Sequence, residues 1–231
     1  MATFINKVTY VDESGAAVVT AVCPSSLTVA VGDAVEVFVK YECATGAAGV
    51  TVAMASGSNG GNTFVQEASR IHSTQTDLGG VLFRSIITAA GTFAPTVGFS
   101  GGTANYVNIG VVQWRPAGGF VLQADNFNSA DSGATAATTG SAGSTAVTSP
   151  GTDFMGLMGY NLLNFTPDTG FTLVNGGANH TADSQYATRA AGATANPVMT
   201  WDISSVWLAL YASLKEVSPG GSTPLMGQIC L

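Results

Sequence analysis

From Ala34 to Glu42 the side chains alternate, with Val35, Val37, Val39 and Tyr41 on one side and Glu36, Phe38, Lys40 and Glu42 on the other. A period of two is the signature of a strand, and this mixture predicts one that is half-buried. β-branched and aromatic runs predict further strands over 4–11, 18–22, 27–31, 50–54, 63–69, 81–88 and 106–114. The second half adds 120–124, 155–163, 171–174, 184–190, 198–201 and 206–215. In the last of these Trp207 shares a face with Ala209 and Tyr211, while Leu208, Leu210 and Ala212 form the other. Gly, Asn, Asp and Pro separate the runs and read as turns. The 29 glycines are spread along the chain, and each would cost a helix about 1 kcal/mol relative to alanine. The pattern predicts an all-β protein, a sandwich or a barrel, and the reading taken is an antiparallel β-sandwich.

Two stretches fall outside the pattern. Ser129 to Thr152 is rich in Ser, Ala, Thr and Gly and has the composition of a linker. Its small alternating runs, Ala134-Thr135-Ala136 and Thr145-Ala146-Val147-Thr148, predict instead an ordered strand pair. With that stretch ordered, residues 1–216 read as one sandwich domain, a size that all-β domains reach as single units. Residues 217–231 then form a tail or docking arm. It opens with the breaker Ser218-Pro219-Gly220-Gly221-Ser222 and carries Leu225, Met226, Ile229 and Leu231, the candidate assembly contacts.

Charge sharpens this picture. Asp, Glu, Lys and Arg make up 9% of the chain, against roughly 25% in an ordinary soluble protein. A surface built from Ala, Ser, Thr and Gly has little charge to desolvate when covered and little repulsion to hold copies apart, so it predicts self-association. The net charge is −7 and the seven basic residues are scattered singly, which argues against a nucleic-acid partner. The longest apolar run, Val206 to Leu214, is too short to span a bilayer as a helix, so no membrane partner is expected. Met1 to Lys7 lacks a basic segment followed by an apolar run, which predicts synthesis in the cytoplasm. Cys23, Cys43 and Cys230 are too few and too irregularly spaced for a disulfide framework, and free buried thiols are expected.

Catalytic patterns lack their context. Gly98-Phe99-Ser100-Gly101-Gly102 fits a nucleophile elbow, but a turn and a strand follow it where a helix is needed, so a hairpin turn is expected. Asp125 to Asp131 offers oxygens without calcium-loop spacing and reads as a polar turn. His72 and His180 read as solvated loop imidazoles. Glu36, Glu42 and Glu67 would serve sugar hydrolysis only if folding paired two of them. Trp114, Trp201, Trp207, Tyr106, Tyr160 and Tyr186 are candidates for an aromatic binding platform, with core packing the expected role for most. The reading is of a protein that is not an enzyme, with no catalytic residue, cofactor or metal.

The run from Thr28 to Val37 contains the turn Gly32-Asp33 ahead of a hydrophobic strand. A Gly/Asn-rich segment, the strand Val111-Val112-Gln113-Trp114, the Ser/Thr/Ala stretch and the closing strand Trp207 to Ala212 follow. This order, over residues 1–216, resembles the jelly-roll domains of tailed-bacteriophage virion proteins. The resemblance implies a jelly-roll-like sandwich and a non-enzymatic virion structural protein: a capsid decoration, cement or fibre protein. It implies assembly as a homo-oligomer, such as a trimer, and a major capsid or other virion protein as partner. The place would be the virion surface, after synthesis in the host cytoplasm. The alternative is a carbohydrate-binding adhesin or receptor-binding module that uses tyrosines and tryptophans at loop ends.

Overall fold

The computed structural model describes residues 1–55, 59–146, 150–190 and 194–219. Ten strands fill the first half: β1 (Thr3–Val11), β2 (Thr20–Val22), β3 (Leu27–Val29), β4 (Ala34–Glu42), β5 (Thr51–Met54), β6 (Val65–Ile71), β7 (Leu78–Ile86), β8 (Gly91–Phe93), β9 (Thr96–Ser100) and β10 (Asn105–Arg115). Ten more fill the second: β11 (Val121–Asp131), β12 (Ala137–Gly140), β13 (Thr145–Ala146), β14 (Gly151–Leu163), β15 (Phe165–Thr166), β16 (Thr172–Leu173), β17 (His180–Arg189), β18 (Thr194–Ala195), β19 (Met199–Ser205) and β20 (Trp207–Val217). One 3-10 turn, Ala47–Gly49, is the exception to the all-β content among the described residues.

The two halves repeat one topology. The first builds a sheet in the order β1-β10-β4-β7-β6, and the second builds β11-β20-β14-β17-β16, the same order ten strands later. The smaller sheets correspond as well, β2-β9-β5 with β12-β19-β15 and β3-β8 with β13-β18. All pairings are antiparallel. The five-stranded sheets lie face to face, and the packing is reciprocal: β20 rests on β7, β10 rests on β17, and β4 meets its own counterpart β14.

Three cores hold the layers together. The central one lies between the five-stranded sheets and contains Phe38, Leu82, Trp114, Phe154, Met158, Leu208 and Leu210. A second, under the small sheets of the first half, takes Val35, Val37, Val39, Phe83 and Val111. The third takes Met155, Leu157, Tyr211, Trp201 and Met199 in the second half. Trp207 to Ala212 divides its faces between the central and third cores along the lines of its alternation. Burying this apolar surface is the main favourable term, at about 25 cal/mol per Å².

The antiparallel sandwich expected from the sequence is present, with three corrections. The strand β4 is buried along both faces, from Ala34 to Tyr41, because the second half covers the face that carries Glu36, Phe38 and Lys40. The stretch 129–152 does supply strands, but β12 pairs with β19 and β13 with β18, so they do not form a pair of their own. Asp125 to Asp131 is the end of β11 and not a turn: Asp125 is held by Arg189 at 3.1 Å and Asp131 by Arg70 at 2.7 Å, which makes carboxylates tolerable in a strand. Residues 220–231, with the candidate contacts Leu225, Met226, Ile229 and Leu231, lie outside the described residues.

Candidate functional site

At one end of the seam between the halves, a cleft of about 490 Å³ opens between Tyr106 and Tyr160. Both rings are exposed, at 37% and 41%, whereas Trp114 and Trp201 are buried and Trp207 and Tyr186 are half-buried in packing contacts. Of the six aromatic candidates, the structure therefore brings two together in a cleft and assigns the tryptophans to cores.

Tyr106 sits where a bulge interrupts the pairing of β10 with β4, between Asn105 and Asn108. Its backbone has φ of 46°, a left-handed value unusual for a tyrosine. Two contacts fix its ring. The Lys40 ammonium lies 5.5 Å from the ring centroid. On the other element, Gly15, with φ of 71°, comes so close that a Cβ there would stand 2.8 Å from the tyrosine Oη. Asn105 Nδ2 donates to the Gly15 carbonyl at 2.7 Å and ties the same loop down. Tyr160 belongs to a second bulge, in the pairing of β14 with β17 between Met158 and Leu163, which turns Tyr160, Asn161 and Leu162 to solvent. Its hydroxyl donates to Asp77 Oδ2 at 2.7 Å, and that bond to a carboxylate pushes the phenol up to about 12.

The floor is charged and tightly paired. The Lys40 side chain is fully buried and donates to Glu42 Oε1 at 2.6 Å and to the Tyr106 carbonyl at 2.8 Å. Burial lowers its pKa while the Glu42 charge opposes the drop. Burial likewise raises Glu42, with Lys40 opposing. Glu13 latches the halves together: its Oε1 accepts from Asn108 Nδ2 at 2.9 Å and from the Thr181 amide at 2.8 Å, and its Oε2 is buried without a hydrogen-bond partner. Lys40 pairs with Glu42, while Glu13 and Asp77 are held by neutral donors, so the cleft offers aromatic faces and acceptor oxygens, a surface suited to stacking and hydrogen bonding with a ligand that carries no negative charge.

The remaining sequence candidates lie apart. Ser100 ends β9, and Gly101, with φ of 81° and no room for a Cβ beside the Gly49 carbonyl, turns the chain to β10 in a different sheet. The expected hairpin is thus a corner between sheets. His72 is buried and not solvated: Nδ1 accepts from the Thr74 and Gln75 amides at 3.2 and 3.0 Å, and Nε2 faces Ser132 Oγ at 3.4 Å. Burial lowers its pKa. His180 opens β17 and is half-buried. Glu36 meets Trp114, Glu42 meets Lys40 and Glu67 meets Arg84, so each carboxylate has its own partner. Cys23 and Cys43 are free and buried, as expected. Glu13 and Asp77 carry no signal in the sequence, since nothing local distinguishes them from turn acids.

No family model, no curated protein and no solved structure matches the chain.

Proposed function

We propose that the chain is a non-enzymatic structural protein that assembles as an oligomer on a viral particle, as a decoration, cement or fibre component. One observation carries the assembly part. The outer layers, β2, β3, β5, β8 and β9 with β12, β13, β15, β18 and β19, contain no Lys or Arg and a single acidic residue, Asp202. Elsewhere the charges are internally engaged: all 14 acidic and all seven basic side chains make a hydrogen bond or ion pair within the chain. Outer faces of this kind are covered by a neighbour with little desolvation cost.

The virion part rests on the strand order. If β2 with β3, and β8 with β9, are each counted as one interrupted strand, each half has eight strands with its first beside its last, the closure of a jelly roll. A cement protein binds the assembled shell and not its dissociated subunits, so mass action opposes disassembly. Labelling native particles with an antibody against this chain tests the reading: label on the particle surface supports it, and intact particles that lack the chain contradict it.

A second reading is favoured by the Tyr106–Tyr160 cleft: an adhesin or receptor-binding module that takes a neutral saccharide. Glycan-array binding by the purified protein, lost in both Tyr106→Ala and Tyr160→Ala, is its expected outcome. An array without binding removes it.

A further inference from the structure

The first half is open along one side. Among the described residues β5 pairs only with β9 and β6 only with β7, so each presents an edge that no described strand pairs. No other backbone hydrogen bond among the described residues reaches 51–54 or 65–71. Between these edges run two adjoining cavities, of about 530 and 310 Å³, that share Val52 and Gln66. Their floor is the second core itself, with Tyr41, Val81 and Phe83 at the surface of the gap. A sandwich with its core open between two bare strand edges lacks one strand, and an extended segment placed there gains ladder bonds and apolar burial together.

We propose that this groove accepts residues 220–231 of a neighbouring copy as an added strand. The segment matches the site in three ways. In an extended chain Leu225, Gly227, Ile229 and Leu231 fall on one face and Met226, Gln228 and Cys230 on the other, so the polar Gln228 lies opposite the row placed over the core. The segment carries no charged side chain. At about 3.3 Å per residue it reaches roughly 40 Å when extended, enough to leave its own subunit and still run the length of β6. Pro219 follows two residues after the end of β20 at Val217 and has no N–H to continue its ladder. The inference rests on the assembly reading above and names its contact: donation of this segment from copy to copy, with Leu225, Ile229 and Leu231 over Val52, Val81 and Phe83.

The test uses the full chain with Ala53→Cys on the edge of β5 or Val65→Cys on the edge of β6, whose side chains point away from the core as Cys230 does when Ile229 and Leu231 face it, the native Cys230 in the segment, and oxidised glutathione as oxidant. Thr200→Cys, on the exposed outer strand β19, is the control. The expected result is covalent dimers and larger species with either groove variant, a Cys230 link to the introduced cysteine on peptide mapping, and none with the control. Links formed only within one chain, links only between two Cys230 residues, or no links overturn the inference. The molar mass of the unoxidised protein, measured in parallel by light scattering, separates the two claims. An oligomer without the link sinks the groove alone, and a monomer sinks the assembly reading with it.

Discussion

The ring of Phe38 occupies the space that a side chain on Gly156 would need. The two residues lie on β4 and β14, the counterpart strands of the two repeats, and their contact sets how closely the five-stranded sheets approach. Gly80 does the same beneath Met158 and Leu210, and Gly110 beneath Ser184. Glycine within a strand is costly by itself, and here it is the condition for a large ring to cross the seam.

Gly156→Ala is therefore expected to destabilise the protein by about 1–3 kcal/mol through overpacking, and Phe38→Ala by about 3–5 kcal/mol through the cavity it leaves. The combination Phe38→Leu with Gly156→Ala should cost less than the sum of its single changes, because the smaller residue vacates the space the methyl enters. Urea unfolding of the four variants checks this, and strict additivity would deny the contact.

Glu36 is completely buried in the central seam, with Trp114 Nε1 donating to Oε2 at 2.8 Å and Oε1 left without a partner. Burial pushes its carboxyl up to about 8 against an ordinary value of 4.5, with the Trp114 bond opposing the rise. The folded state thus holds a proton that the unfolded chain releases near pH 4.5. Its contribution is fully present below that pH and is lost as pH rises to about 8. At about 1.4 kcal/mol for each pH unit that separates the folded and unfolded values, the loss amounts to a few kcal/mol. Glu36→Gln should raise Tm at about pH 9 and change it little near pH 4.5. Equal effects at both values would show that Glu36 is not held protonated.

The buried Lys40–Glu42 pair predicts a different signature. Lys40→Met leaves Glu42 and the Tyr106 carbonyl without their donor, and breaking such a pair costs about 3–5 kcal/mol. Adding Glu42→Gln should recover a substantial part, since the stranded charge is then gone. Near-ultraviolet circular dichroism should also change in Lys40→Met, because the ammonium that fixes the Tyr106 ring is absent. Unaltered stability and spectrum would place Lys40 outside the machinery of the cleft.

Much of the fold is legible locally. The alternation from Ala34 to Glu42 marks the bounds of β4, and the face division of β20 follows from its own alternation. The repeat is not legible, because it is a repeat of pairings and not of residues: AVEVFVKYE in β4 has as its counterpart GTDFMGLMGYNLL in β14. The double burial of β4 is hidden for the same reason, since Glu36 and Lys40 look like solvent-facing positions until a second sheet covers them. The strands β8, β15 and β18 leave no pattern, being runs of two or three residues among turn-forming neighbours. Tyr106 and Tyr160 stand out as aromatic candidates, but their meeting depends on two bulges and on pairings between distant strands, such as that of β4 with β10. No local pattern encodes that.

The neutral outer layers are proposed to be surfaces covered by copies of the chain and by a larger particle. Sedimentation velocity of the full chain across a wide range of concentration measures this most directly. The expected result is a species whose mass is a small whole multiple of 23.3 kDa and which persists on dilution. A single species of 23.3 kDa throughout the range would contradict it.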